Sequence, residues 1–146
     1  MGSRKQILGA KRIVNSSSPL ANSGLYWINY TRGNKMTIEI GKKEKQFINA
    51  YFECVRFTED NDTEFCEVWE REQIIECLAF FVYAECYLSD KSITQAGHDF
   101  WLSRNGHGTG FWDRDSSYYA DHVRDWLQRK SEQFGESDVL YNEFVA

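Results

Sequence analysis

Gly97-His98-Asp99-Phe100-Trp101-Leu102-Ser103-Arg104-Asn105-Gly106-His107-Gly108-Thr109-Gly110-Phe111-Trp112-Asp113-Arg114 is the stretch on which the fold turns. It holds two of the three histidines, two of the five tryptophans and four of the ten glycines, so structural and chemical residue types are concentrated together. Phe100, Trp101 and Leu102 on one side and Phe111 and Trp112 on the other flank a glycine-rich turn. That pattern predicts a β-hairpin over 98–113, turning near Asn105-Gly106, with polar groups at its edges.

Working outward, Asp115 or Ser116 is positioned to cap a helix over 117–133 that places Tyr119, His122, Val123, Trp126 and Leu127 on one face. Gly135 would end that helix in a left-handed cap. The closing segment, Asp138 to Val145, has the composition of a strand and would pair with the hairpin to make a small antiparallel sheet. Before the hairpin, Phe47, Ile48, Tyr51, Phe52 and Val55 form the stripe of an amphipathic helix over 43–57. A second helix, capped by Thr63 and acidic in its first turn, is expected to reach about Leu88. The expected fold class is therefore α+β, three helices packed on a small antiparallel sheet formed by hairpin 98–113 and the C-terminal strand.

The chain has 146 residues, of which 42% are hydrophobic, the size of one domain with one core. Residues 1–45 contain nine Lys or Arg against two Glu, whereas residues 46–146 contain eight against twenty acidic residues. Residues 1–35, with the only proline, are expected to be a basic, loosely structured arm, with one short strand within Gly24 to Tyr30. Residues 36–146 are expected to form the single α+β domain. A basic arm suits nucleic acid or an acidic partner, and the acidic body suits a basic one. No apolar run approaches the roughly eighteen residues of a membrane span, and no apolar stretch follows the basic N-terminus as in a secretory signal. A cytoplasmic location without membrane contact is expected, and Cys54, Cys66, Cys77 and Cys86, lacking any Cys-x-x-Cys clip, read as reduced structural thiols.

Two chemistries are open at the hairpin. His98, Asp99, His107 and Asp113 supply imidazole and carboxylate ligands for a divalent metal if the two histidines oppose each other on paired strands. The alternative is structural: His98 and Asp99 bond the turn while Asp113 caps the next helix. Trp101, Arg104, Asn105, His107, Trp112 and Arg114 form the candidate binding surface. The two guanidiniums could clamp an anion beside the glycine loop or pair with neighbouring carboxylates, and a tryptophan could stack on a nucleotide base. There is no Gly-x-Ser-x-Gly elbow and no supported Cys/His pair. The chain is thus read as a binding protein rather than an enzyme, needing no cofactor, with a metal-dependent hydrolytic or small-ligand and nucleotide site as the alternative.

The segment Ala96 to Arg114 resembles the signature of a family of small tailed-phage proteins, and the likeness extends from about residue 45 onward, including Phe134-Gly135-Glu136. The Asp-Gly turn that closes the family's last strand is absent here, and residues 1–35 have no counterpart in it. The resemblance implies a phage or prophage accessory protein in the cytoplasm of a bacterial host, with no assigned reaction. The expected role is to bind and modulate or inhibit a host protein or complex, in the manner of an anti-defence protein.

Overall fold

The computed structural model describes residues 11–12, 25–29 and 35–142, and the side chains of residues 39–142. The rest of the expected basic arm and the last residues of the expected C-terminal strand lie outside them. Three short backbone strands, β1 (Lys11–Arg12), β2 (Leu25–Asn29) and β3 (Lys35–Glu39), pair antiparallel in sequence order. From residue 40 to residue 142 the chain is helical: α1 (Lys42–Glu59), α2 (Glu67–Ala84), α3 (Ile93–Arg104) and α4 (Asp121–Gln133), with short 3-10 turns between α2 and α3 and between α3 and α4.

This corrects the α+β assignment, because among the described residues neither component of the expected sheet, hairpin 98–113 or the C-terminal strand, is formed. The segment read as the first hairpin strand is the body of α3. Among its buried residues Ile93, Ala96, Gly97, Phe100, Trp101 and Arg104 recur at intervals of three and four, with Asp99 and Ser103 buried one turn apart beside them, the period of a helix and not of a strand. The aromatic run Phe100-Trp101-Leu102 suggests a strand only while Ile93 and Ala96 are left out of the window. Nor does the C-terminal segment form a strand among the described residues. Its described part makes a single antiparallel bridge, Phe65 with Tyr141, through Cys66 N–H to Leu140 O at 2.8 Å and Asn142 N–H to Glu64 O at 2.8 Å.

The chain divides into two compact units: Met1–Lys45 with Thr63–Ile75 and Val139–Ala146, and Gln46–Asp62 with Glu76–Asp138. In the first, the rings of Phe65 and Trp69 pack 5.0 Å apart, Ile40, Trp69 and Ile74 are buried, and the bridge ties Phe65 to the C-terminal segment. The second unit is centred on a stack of aromatic rings from α1, α2 and α3. Phe80 lies 4.2 Å from Phe100 with the planes 11° apart, Phe47 leans on both, and Tyr51 meets Trp101 edge-on at 5.6 Å. Such pairs add to the large apolar burial of each ring.

Local sequence sets the ends of these helices. α1 stops where Asp60 adopts a left-handed conformation (φ 50°) and its N–H bonds Arg56 O. α3 ends in a Schellman motif. Gly106, at φ 65°, donates to Ser103 O while His107 N–H reaches back to Leu102 O at 3.1 Å, so the helix's last carbonyls are satisfied. After that turn, Phe111–Asp113 forms one 3-10 turn, and Asp115 accepts from Ser117 N–H at 2.8 Å. Asp115 therefore caps a local turn rather than the following helix, which begins at Asp121 instead of near 117. Gly135, at φ 78°, terminates α4 as its position suggested.

Candidate functional site: the cleft between α1 and α3

Within the second unit, Gly97 brings α3 into contact with the backbone of α1. A β-carbon at Gly97 would meet the carbonyl of Phe47, the Cβ of Ala50 at 2.7 Å and Tyr51 N at 3.0 Å. The helices touch there. Beyond the contact, one face of each lines a cleft of about 510 Å³. Glu53, Cys54 and Phe57 come from α1, Gln95, His98 and Leu102 from α3, and Thr109 and Arg114 from the turn after α3. The spacings are helical: Glu53 to Phe57 and His98 to Leu102 are four residues apart, so each pair falls on one side of its helix.

Most of the residues between Gly97 and Arg114 are consumed by the fold. Asp99 is fully buried and serves three side chains as acceptor. Arg114 Nε–H donates to its two oxygens at 2.9 and 3.2 Å, Arg114 Nη2 lies 2.9 Å from Oδ1, Tyr119 O–H donates at 2.8 Å and Gln95 Nε2 at 3.0 Å. Burial, the Asp99 charge and the Asp99 hydrogen bond together hold the Tyr119 phenol protonated, its pKa far above the usual tyrosine value. Ser103 Oγ donates to Gln128 and accepts from Phe111 N–H at 3.0 Å, pinning the turn to α3. Asp113 closes that turn by accepting from Gly110 N–H at 3.0 Å and from the Thr109 hydroxyl.

The candidate binding residues separate into two groups. Trp101 is 1% exposed and its indole N–H donates to Thr58 Oγ1 at 2.8 Å, so no base can stack on it. Arg104 is buried; it pairs with Glu76 at 2.8 Å, donates to Tyr51 Oη and caps α4 through the carbonyls of Phe134 and Gly135. Desolvation works against its charge, but Tyr51 and Glu76 outweigh it and raise the pKa. Asn105 holds Trp101 O and Ser137 N–H. These three are fastenings. His107 and Trp112 are exposed, the latter at 51%, and Arg114 alone of the six lines the cleft.

The metal-ligand set is not brought together on facing strands, since those strands do not exist. His98 Nε2 faces Glu53 Oε1 at 3.5 Å, Asp99 is enclosed by Arg114 and Tyr119, and Asp113 is taken by Thr109 and Gly110. No group of three or more His, Cys, Asp or Glu suited to a metal ion occurs among the described residues. In the cleft itself, burial first and the Asp99 charge next push the Cys54 thiol up to about 11, which leaves almost no thiolate nucleophile at neutral pH. The cleft therefore offers an apolar wall, Phe57 and Leu102, edged by Gln95, His98, Glu53 and an arginine. Glu53, Cys54, Phe57, Gln95, Leu102 and Thr109 are not among the candidate site residues read from sequence. For the helical ones the signal is their spacing, visible only once 93–104 is taken as a helix, and Thr109 in the turn has none.

No protein family, curated protein or solved structure matches the chain. The phage setting and the anti-defence role implied by the resemblance find no support in the fold or in these comparisons. No helix among the described residues is long and apolar enough to cross a membrane.

Proposed function

We propose that the chain acts by binding rather than by catalysis, and that the α1–α3 cleft is its binding site for an apolar small ligand. The observation that carries this reading is the exposure of Phe57: it stands 85% exposed on the wall of a cleft whose other apolar lining is Leu102. An aromatic side chain left in water forgoes roughly 1.5–3 kcal/mol of burial, which an occupant of the cleft would recover. A volume of about 510 Å³ falls inside the range of about 300–1,000 Å³ typical of ligand pockets, and a few polar groups around an apolar wall are their usual make-up. Titrating the full chain with 3-phenylpropan-1-ol tests this by backbone NMR. Saturable shifts are expected at Cys54, Phe57, His98, Leu102 and Thr109, and Phe57→Ala should weaken binding several-fold without unfolding the protein. Shifts scattered over the surface, or none, would exclude the cleft as the site.

A second reading, engagement of a protein partner, is favoured by a different surface. Val82 is 75% and Tyr83 50% exposed on α2, with Tyr87 at 45% in the 3-10 turn after it. Exposed aromatic residues of this kind anchor interfaces. Affinity capture with the wild type and with Val82→Glu discriminates: this reading expects a specific protein retained by the wild type and lost from the variant, and equal recovery by both would remove it.

A further inference from the structure

We infer that the cleft's ligand is an apolar-bodied carboxylate, its chain lying along Phe57 and Leu102 and its carboxylate held by Arg114. The inference rests on the cleft being the binding site and adds the chemical class of the occupant. Arg114 engages Asp99 through Nε and Nη2, the lateral edge of its guanidinium. That contact fixes the plane of the group. The outer edge, Nη1 with the second Nη2 hydrogen, makes no hydrogen bond or ion pair among the described residues, and the side chain, which lines the cleft, is 27% exposed. An arginine whose other edge is already clamped presents two parallel N–H donors at little further entropic cost, the geometry that matches a carboxylate.

Of the neighbouring carboxylates Asp99 and Asp113 are occupied, and Glu53 stands largely in solvent, its side chain 72% exposed. Asp99 is satisfied by Arg114, Tyr119 and Gln95, and Asp113 by Thr109 and Gly110. Glu53, at the rim, faces His98. Arg114 keeps its proton: desolvation opposes its charge, but the Asp99 hydrogen bond and charge outweigh that and raise its pKa. A cationic ligand would meet this guanidinium across the cleft, whereas an anion gains a charge-assisted pair in a partly desolvated site.

Three probes of equal length separate the possibilities on the full chain: 3-phenylpropionate, 3-phenylpropanamide and 3-phenylpropan-1-ol, each titrated at low salt and followed at the cleft amides. The carboxylate is expected to bind about tenfold more tightly than the other two, and this advantage should shrink as salt is added. Arg114→Lys, which keeps a positive charge beside Asp99 but not the two-nitrogen edge, should lose that advantage, the ratio of carboxylate to alcohol affinity falling toward one. Equal binding of all three probes by the wild type would overturn the carboxylate assignment and leave the cleft as a binding site. Absence of cleft shifts with every probe would overturn both. Because the decisive comparison uses the wild type, it holds even if Arg114→Lys folds poorly.

Discussion

Asp99→Ala is expected to lower the unfolding free energy by about 3 kcal/mol, measured by urea denaturation at neutral pH. Asp99 is fully buried on α3, and its carboxylate is the common acceptor for Arg114, Tyr119 and Gln95. Deleting it leaves one charged and two polar donors without their acceptor, and breaking a buried pair costs about 3–5 kcal/mol. Arg114, itself partly exposed, can turn to water, which places the effect at the low end of that range. Pairing the change with Arg114→Met removes the stranded charge. The double variant is expected to be more stable than Asp99→Ala alone, with a coupling on the order of 1 kcal/mol. A loss under about 0.5 kcal/mol for Asp99→Ala, the level of an ordinary surface change, would mean that the 111–119 segment is held to α3 by something else.

Gly97→Val is expected to cost about 2–3 kcal/mol, the upper part of the range of about 1–3 kcal/mol for overpacking a closed contact. Gly97→Ala sets two opposing effects against each other. Within a free helix Ala is better than Gly by roughly 1 kcal/mol. At position 97 the added carbon runs into the Phe47 carbonyl and lies 2.7 Å from the Ala50 Cβ, so backbone of α1 must move. The steric cost should win, and Ala should be neutral or destabilising instead of stabilising. Valine adds two methyl groups and forgoes most of the propensity gain, so its loss is unopposed. Both variants force apart the two helices that wall the cleft, so ligand affinity should fall together with stability. A gain of about 1 kcal/mol for Gly97→Ala, as on an isolated helix, would show that α1 and α3 do not meet at this residue.

Part of this fold is legible in the sequence. The stripe Phe47, Ile48, Tyr51 and Val55 marks α1, and Gly135 marks the end of α4, because each signal is local and of the period its element requires. The failure at 98–113 has an equally local cause. Aromatic residues and glycines are shared by hairpins and by helix–Schellman–turn segments, and only the buried set from Ile93 to Arg104 separates them. Once the helix replaces the hairpin, the polar residues change meaning. Asp113 closes its own turn rather than capping the next helix, and Arg104 and Arg114 pair with Glu76 and Asp99 rather than both facing a ligand. The cleft was not legible, since Glu53 and Phe57 are brought to His98 and Leu102 by the packing of one helix on another, which no short-range pattern encodes.

Everything about the site depends on α3 having two working faces, one building the core and one lining the cleft. An NOE spectrum of the full chain tests this most directly. Hα(i)–Hβ(i+3) contacts are predicted throughout 93–104, together with strong contacts from the Gly97 Hα protons to the Ala50 methyl. Cross-strand Hα–Hα contacts between residues 98–103 and 108–113, with no Gly97–Ala50 contact, would contradict the two-faced helix and restore the hairpin.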